Sequence, residues 1–213
     1  MALMPPRLQQ VPGLTFFKLM GSGKDRVFTL RPDFFLYGLL ATWTSEAAAE
    51  TFLQHSGVLD DYRQHCRELW TIRMLPLRSR GLWDGVNPFI PNAAASPVPG
   101  PLAVLTRASI RWPALPSFWR HGAQTSKDLA EASGLIAAVG LGELPLVRQA
   151  TFSLWTDEAA MQQYVYGTAH HQQVIRKTRA DHWYGEELFA RFQVVSASGT
   201  WKGRNPLQVS GSL

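Results

Sequence analysis

Apolar and polar positions divide this chain into short strands and helices. Over 102–111, Leu102, Val104, Thr106, Ala108 and Ile110 share one parity. Ala103, Leu105, Arg107 and Ser109 share the other, which is the period of a strand. The same reasoning predicts a helix over 116–132, strands over 134–142 and 146–155, a helix over 157–179 and a strand over 188–196. That order, β-α-β-β-α-β, is the ferredoxin-like one. The preceding stretch reads as a helix near 3–10, strands over 14–20 and 34–43, a helix over 46–54 that continues from 59 to 69, and a strand over 70–77.

The two stretches resemble each other. Leu39-Leu40-Ala41-Thr42-Trp43-Thr44-Ser45-Glu46-Ala47-Ala48 matches Thr151-Phe152-Ser153-Leu154-Trp155-Thr156-Asp157-Glu158-Ala159-Ala160 at an offset of 112 residues. Each reads as a strand ending in Trp, a polar cap, and a helix with acidic residues in its first turn. Further on, Gly81-Leu82-Trp83-Asp84-Gly85-Val86-Asn87-Pro88 matches Gly199-Thr200-Trp201-Lys202-Gly203-Arg204-Asn205-Pro206 at an offset of 118. Between these markers, Glu68 to Arg73 matches Glu186 to Arg191. The expected fold class is therefore α+β, with tandem ferredoxin-like repeats forming an α+β barrel. Residues 1–91 form the first repeat, 92–101 a Pro/Ala/Gly-rich linker, and 102–213 the second repeat. The first repeat lacks its opening strand. Either the true start lies further upstream or another chain supplies the missing edge, and a homodimer is the expectation.

Strand parity also assigns faces. The mixed polar faces carry Ser109 and Arg107 on the first strand of the second repeat, Gln149, Thr151 and Ser153 on the third, and Arg191 and Gln193 on the last. These three faces are expected to line the barrel interior, with the apolar faces packed on the helices. In the last helix Tyr164, Thr168, His171, Val174, Ile175 and Thr178 share one face, so His171 points inward and His170 outward. An inward histidine reads either as a hydrogen-bonded core residue or as a ligand. A haem needs only one axial ligand from the protein, and imidazole is the usual one. The equivalent position of the first repeat holds Leu59 or Leu53, and neither binds iron.

Composition narrows the classes. With 213 residues, 46% hydrophobic and 17% charged, the chain is long enough for one core and is not globally disordered. The net charge of +5 is spread evenly over both halves, without the clustered Lys and Arg of a nucleic-acid binder, so no nucleic-acid partner is expected. A single cysteine, Cys66, excludes an internal disulfide and cysteine-rich metal sites. The longest apolar run, 34–43, is too short to span a membrane, and the first ten residues do not read as a signal peptide. The expected location is cytoplasmic. Eight Trp, eleven Phe and five Tyr favour β-structure and large apolar pockets. Gly21-Ser22-Gly23-Lys24 lacks the first glycine of a phosphate loop and precedes a strand, so it reads as a hairpin turn.

Several segments resemble the spheroidene monooxygenase family. They include Phe17-Lys18-Leu19-Met20-Gly21-Ser22-Gly23, Leu105-Thr106-Arg107-Ala108, Phe118-Trp119 and Val139-Gly140-Leu141-Gly142-Glu143-Leu144-Pro145. Stronger ones are Gln149-Ala150-Thr151-Phe152-Ser153-Leu154-Trp155 with Asp157, and His171 through Trp183 to Glu186-Glu187-Leu188-Phe189-Ala190-Arg191-Phe192. Trp83-Asp84-Gly85 and Trp201 with Gly203 also match, so the resemblance runs over about 14–207.

The resemblance implies a dimeric α+β barrel that binds haem b. It would oxygenate the end region of an acyclic carotenoid, giving a 2-hydroxy and then a 2-keto product. O2 and an external electron donor such as reduced ferredoxin would be consumed. The family's motif histidine, twelve residues before a tryptophan, is here His171 before Trp183. It would serve as cofactor-binding residue and metal ligand, and the resemblance assigns no further catalytic residue. This chain has Ala169-His170 where the family has Gly-Pro. An apolar substrate suits association with a membrane surface, and the positive charge suits an acidic electron donor. Two other readings remain. One is a haem enzyme of another reaction, a dehydratase or haem-degrading type. The other is a non-catalytic binding member of the family.

Overall fold

A computed structural model of the chain describes residues 4–25, 27–91, 99–167 and 169–208. Seven strands form one curled antiparallel sheet, a half-barrel. In chain order they are β1 (Leu14–Gly23), β2 (Pro32–Trp43), β3 (Trp70–Gly81), β4 (Leu102–Ile110), β5 (Leu135–Leu144), β6 (Arg148–Trp155) and β7 (Tyr184–Gly199). Six helices accompany them: α1 (Met4–Leu8), α2 (Glu46–His55), α3 (Gly57–His65), α4 (Leu115–Ala130), α5 (Glu158–Gly167) and α6 (Ala169–Ala180). The sheet order is β2-β1-β5-β6-β4-β7-β3, so strands of both halves share one sheet. Within 102–199 the order β5-β6-β4-β7 is that of a ferredoxin-like unit, and β2 and β3 are the edges. The helix expected over 157–179 is described as α5 and α6, and most of the expected linker, 92–98, lies outside the described residues.

All helices lie on one side of the sheet. Leu8 of α1, Phe52 of α2 and Val58 and Leu59 of α3 pack on Leu14, Phe17 and Leu19 of β1 and on Leu39 and Trp43 of β2. Leu129 of α4 and Met161 of α5 pack on Leu102 and Val104 of β4 and on Trp155 of β6. Ser45 starts α2 by accepting a hydrogen bond from the Ala48 N–H, and Asp157 accepts one from the Ala160 N–H before α5. Ala103, Leu105, Ala150, Leu154, Leu188, Ala190 and Phe192 point to the opposite, concave side with Met20 and Trp83.

The concave side corrects one expectation. Ala103, Leu105 and Arg107 of β4 do face the interior, but the polar parities of β6 and β7 do not. Register decides this: Leu105 stands opposite Phe152 and Ala190, and Arg107 opposite Ala150 and Leu188. Gln149, Thr151 and Ser153 therefore face the helix side, as does Arg191, which donates to Glu158 of α5. The helices cover one face of the sheet and the curl covers the other, so both are apolar and polarity does not mark the interior. The loop from β1 to β2 crosses onto the helix side. Ser126 of α4 accepts a hydrogen bond from the Phe28 N–H, and Gly140 has no Cβ because one there would lie 1.7 Å from the Val27 carbonyl oxygen.

Candidate cofactor and substrate site

His171 and His170 fall in the first turn of α6, and their side chains lie outside the described residues, as does Thr168. Later on the same helix, Val174 packs with Phe28, Phe118, Trp119, Trp183 and Tyr184. These rings meet edge to face: Phe118 lies 5.6 Å from Phe28 and 5.3 Å from Trp119, centroid to centroid. Burial raises the Tyr184 phenol to about 12, against a hydrogen bond with Thr178 and with the help of the Glu187 charge, so the phenol stays protonated at neutral pH. Beside this cluster lies a cavity of about 270 Å3, lined by Arg111, Ala114, Ser117, Asp181, His182 and Trp183. Its volume is near the lower limit for a small-molecule pocket. No ion pair among the described residues engages Arg111.

The donor chemistry here can be tested against the implied cofactor. Among the described residues no three His, Cys, Asp or Glu side chains gather where they could hold a bare metal ion. Iron carried in a macrocycle needs one protein donor, and a neutral imidazole suits it. Aromatic walls and an uncommitted guanidinium beside α6 suit an apolar ring that bears carboxylates. The aromatic wall and Arg111 suit such a group in their chemistry, and the side chain of His171, the donor the resemblance implies, lies outside the described residues.

A second constellation lies on the concave side, and strand parity singles out only one of its members, Arg107. Arg107 is 1% exposed. It donates to Glu186, and its Nη2 lies 3.5 Å from both Asp84 and Glu143. Its Nε and Nη2 have no hydrogen-bond partner. Lys18 pairs with Asp84 and Glu143, and Arg148 with Asp84. Trp83, fully buried, donates its indole N–H to Glu143 at 3.0 Å, and Glu186 accepts the backbone N–H groups of Asp84 and Gly85. Partial burial opposes the Asp84 charge, yet the bond and charge of Lys18, with Arg148 and Arg107, hold that carboxyl below its usual range. Glu186 is lowered too: burial opposes its charge, but two backbone N–H groups and Arg107 outweigh it. Three bases and three acids thus fasten the turn 83–86 to β1, β4, β5, β6 and β7. The motif residues Lys18, Trp83, Asp84, Arg107, Glu143 and Glu186 all belong to the resembling segments, where nothing but motif membership singles them out. Arg191, expected beside Arg107, is on the other side of the sheet.

The curled sheet with helices on one face makes this an α+β half-barrel protein. Sequence comparison then gives the particular family. The chain is 37% identical to the spheroidene monooxygenase of Rhodobacter capsulatus over 201 residues, 94% of this chain and 83% of that one. It is 42% identical to that of Rubrivivax gelatinosus over 193 residues, 91% of this chain and 73% of the other. With that of Cereibacter sphaeroides it shares 33% over 201 residues, 94% of this chain and 62% of the other. The chain belongs to the spheroidene monooxygenase family. No family model matches it. Among solved structures, a candidate monooxygenase from Fusobacterium nucleatum is similar at 10% identity, covering 92% of this chain and 82% of that one, with a TM-score of 0.46. An anthrone oxidase-like protein is similar at 15% identity, covering 100% and 90%, with a TM-score of 0.36. Likenesses this distant carry no functional argument.

Proposed function

We propose that the protein is a haem-dependent monooxygenase that hydroxylates an acyclic carotenoid near its end and then converts that carbon to a ketone. The observation that carries this reading is the 33–42% identity, over more than nine-tenths of the chain, to proteins named spheroidene monooxygenase. Each round inserts one atom of O2 into a C–H bond. The other atom leaves as water, with two electrons and two protons from a donor such as reduced ferredoxin. A second insertion at the same carbon gives a gem-diol, which loses water to the ketone.

Haem b, held by His171, supplies the activation of O2. The chain's own residues do the rest. Phe118, Trp119 and Trp183 keep water from the face of α6, and Arg111 offers a cation to the cofactor's carboxylates. Trp112, Leu144 and Leu146 are exposed near Arg111 and Arg148, at the end of the sheet where β4 and β5 finish. This supports docking of that end on a membrane surface from the cytoplasmic side. The architecture reading is of the same kind: two ferredoxin-like units joined into an α+β barrel and dimeric through the edge at β2; the strand order supports the two units, and so do the turns 83–86 and 201–204, each closed by a bridge and each with both central N–H groups accepted by a glutamate, Glu186 and Glu68.

The test is a hemin titration of the wild type, His171→Ala and His170→Ala, followed by turnover of spheroidene with O2 and reduced ferredoxin. The expected outcome is a saturable Soret band lost in His171→Ala alone, with ketone formed only when both O2 and electrons are supplied. An unchanged spectrum in His171→Ala sinks the ligand. Turnover without O2 selects another haem reaction, and no saturable hemin binding selects a non-catalytic role.

A further inference from the structure

One residue of β4 breaks the strand's pattern of burial. β4 is an inner strand, with helices on one side and the curl of the sheet on the other, and its other residues are buried or half-buried. Thr106 is exposed. It shares the parity of Leu102 and Val104, so its side chain is on the helix side. Among the described residues its hydroxyl has no hydrogen-bond partner. An inner strand exposes a side chain on its covered face only where the cover stands away from the sheet.

The packing before and after Thr106 locates that opening. Two residues back, Val104 is buried with Leu129 of α4 and Met161 of α5, and its neighbour Arg191 pairs with Glu158 of α5. Four residues on, Ile110 is buried with Phe118 and Trp183, and Val174 of α6 packs there. These are two separate apolar clusters, and Thr106 lies between them. The chain passes from the first cluster to the second through the end of α5 and the first turn of α6, which carries His170 and His171. Backbone order therefore brings that turn to the opening over Thr106. Across the ladder the floor continues to Thr151 of β6 and Phe189 of β7, both half-buried. Beyond Thr151 it is closed at Gly140, over which the Val27 carbonyl crosses.

We propose that Thr106 is the hydrogen-bond donor on the sheet-facing side of the haem held by α6, its hydroxyl donating to a small oxygen or anion ligand bound there. This rests on the proposed haem site. A group held from the first turn of α6 turns one face to the helix and the other to this floor. Thr106 is the exposed polar side chain of the floor, and no protein acceptor competes for its proton.

The test titrates wild type, Thr106→Val, Thr106→Phe and Thr151→Val with hemin, read at the Soret band. Each ferric complex is then titrated with fluoride and each ferrous complex with CO, and circular dichroism confirms that every variant folds. Thr106→Phe fills the opening and should weaken hemin binding by about tenfold. Thr106→Val keeps the shape and removes the donor. It should bind hemin within about twofold of wild type yet lose about tenfold in fluoride affinity, the scale of one hydrogen bond to an anion. Its CO affinity, and the fluoride affinity of Thr151→Val, should stay within about twofold of wild type. If Thr106→Phe fails to fold, Thr106→Val decides the matter alone. Hemin binding unchanged in Thr106→Phe, fluoride affinity unchanged in Thr106→Val, or an equal loss for CO overturns the assignment and leaves the haem reading standing. A fluoride loss confined to Thr151→Val moves the donor to the neighbouring strand and also overturns it. No saturable hemin binding by wild type overturns both.

Discussion

One turn of this protein is clamped and the other is open, although the chain builds them alike. Gly81 and Gly199, at φ +94° and +78°, admit both turns because a Cβ at either would lie about 2 Å from a facing carbonyl oxygen, 2.1 Å at Glu187 and 1.9 Å at Leu69. What fills the space beneath separates them. At 83–86 a buried indole, an aromatic ring and six charges close every donor but two on Arg107. At 201–204, closed by the same kind of bridge, register puts Ala137 where the first turn has Phe16 and Ser22 where it has Glu143; the Trp201 ring lies against Trp70 instead, 5.7 Å between centroids, and its N–H has no partner. Backbone geometry therefore carries the shared design, and side-chain volume and charge carry the divergence.

The largest expected contrast lies in the two indoles. Trp83 is fully buried in the concave core, so Trp83→Ala should cost about 3–5 kcal/mol. Trp201 is only partly buried, and Trp201→Ala should cost about half as much. Urea denaturation of both variants at neutral pH checks this. Equal losses would mean that both turns serve the core and would remove the basis of the comparison.

The glutamates come next. Glu186→Gln leaves a single amide oxygen to accept from the turn, so one of its two N–H groups loses its acceptor, and it strips Arg107 of its nearest counter-charge; it should cost about 3 kcal/mol. Glu68→Gln meets no buried cation among the described residues and should cost about 1 kcal/mol. Acid should reproduce the difference. Asp84 and Glu186 have folded pKa values below their unfolded ones. Their stabilisation is complete above the unfolded range, near pH 4, and is lost as pH falls through the folded values. Unfolding free energies measured from pH 6 down to pH 3 should therefore fall less steeply in Asp84→Asn/Glu186→Gln than in wild type. Parallel curves would show that these carboxyls are not held low.

These contrasts bear on what the sequence reveals. The matched segments around Trp43 and Trp155, and around Trp83 and Trp201, are visible as spelling because turns and caps are local: a positive φ, a cap and a bridge depend on a few adjacent residues. The strand order within 102–199 follows from the same alternation of periods. Facing is different. Arg191 was expected beside Arg107, yet it lies across the sheet, because parity within one strand does not fix its register against the next. Asp84, Glu143 and Glu186 stand 43 or more residues apart in sequence, and only the curl of the sheet gathers them around Arg107. The gap of about 150 Å3 between Ala137 and Trp201 is subtler still. It depends on reading Ala137 as the counterpart of Phe16, and the matched segments around the two tryptophans do not reach either residue.

The smallest effect is the most specific. Asp84 and Lys202 occupy the same turn position, and both sit in the left-handed region, at φ +53° and +56°. That conformation costs an L-residue about 1 kcal/mol relative to glycine. Lys202→Gly should therefore stabilise the protein by about 0.5 kcal/mol, since the lysine side chain lies only over the Trp201 ring, 5.8 Å from its centroid, and is otherwise exposed. Asp84→Gly gains the same backbone relief but removes the carboxylate that pairs with Lys18, Arg107 and Arg148, and should be destabilising on balance. Opposite signs from one substitution at equivalent positions, read as shifts in the denaturation midpoint, would locate the clamp in the Asp84 side chain. Two shifts of the same sign would locate it in the Trp83 indole and the Glu186 carboxylate instead.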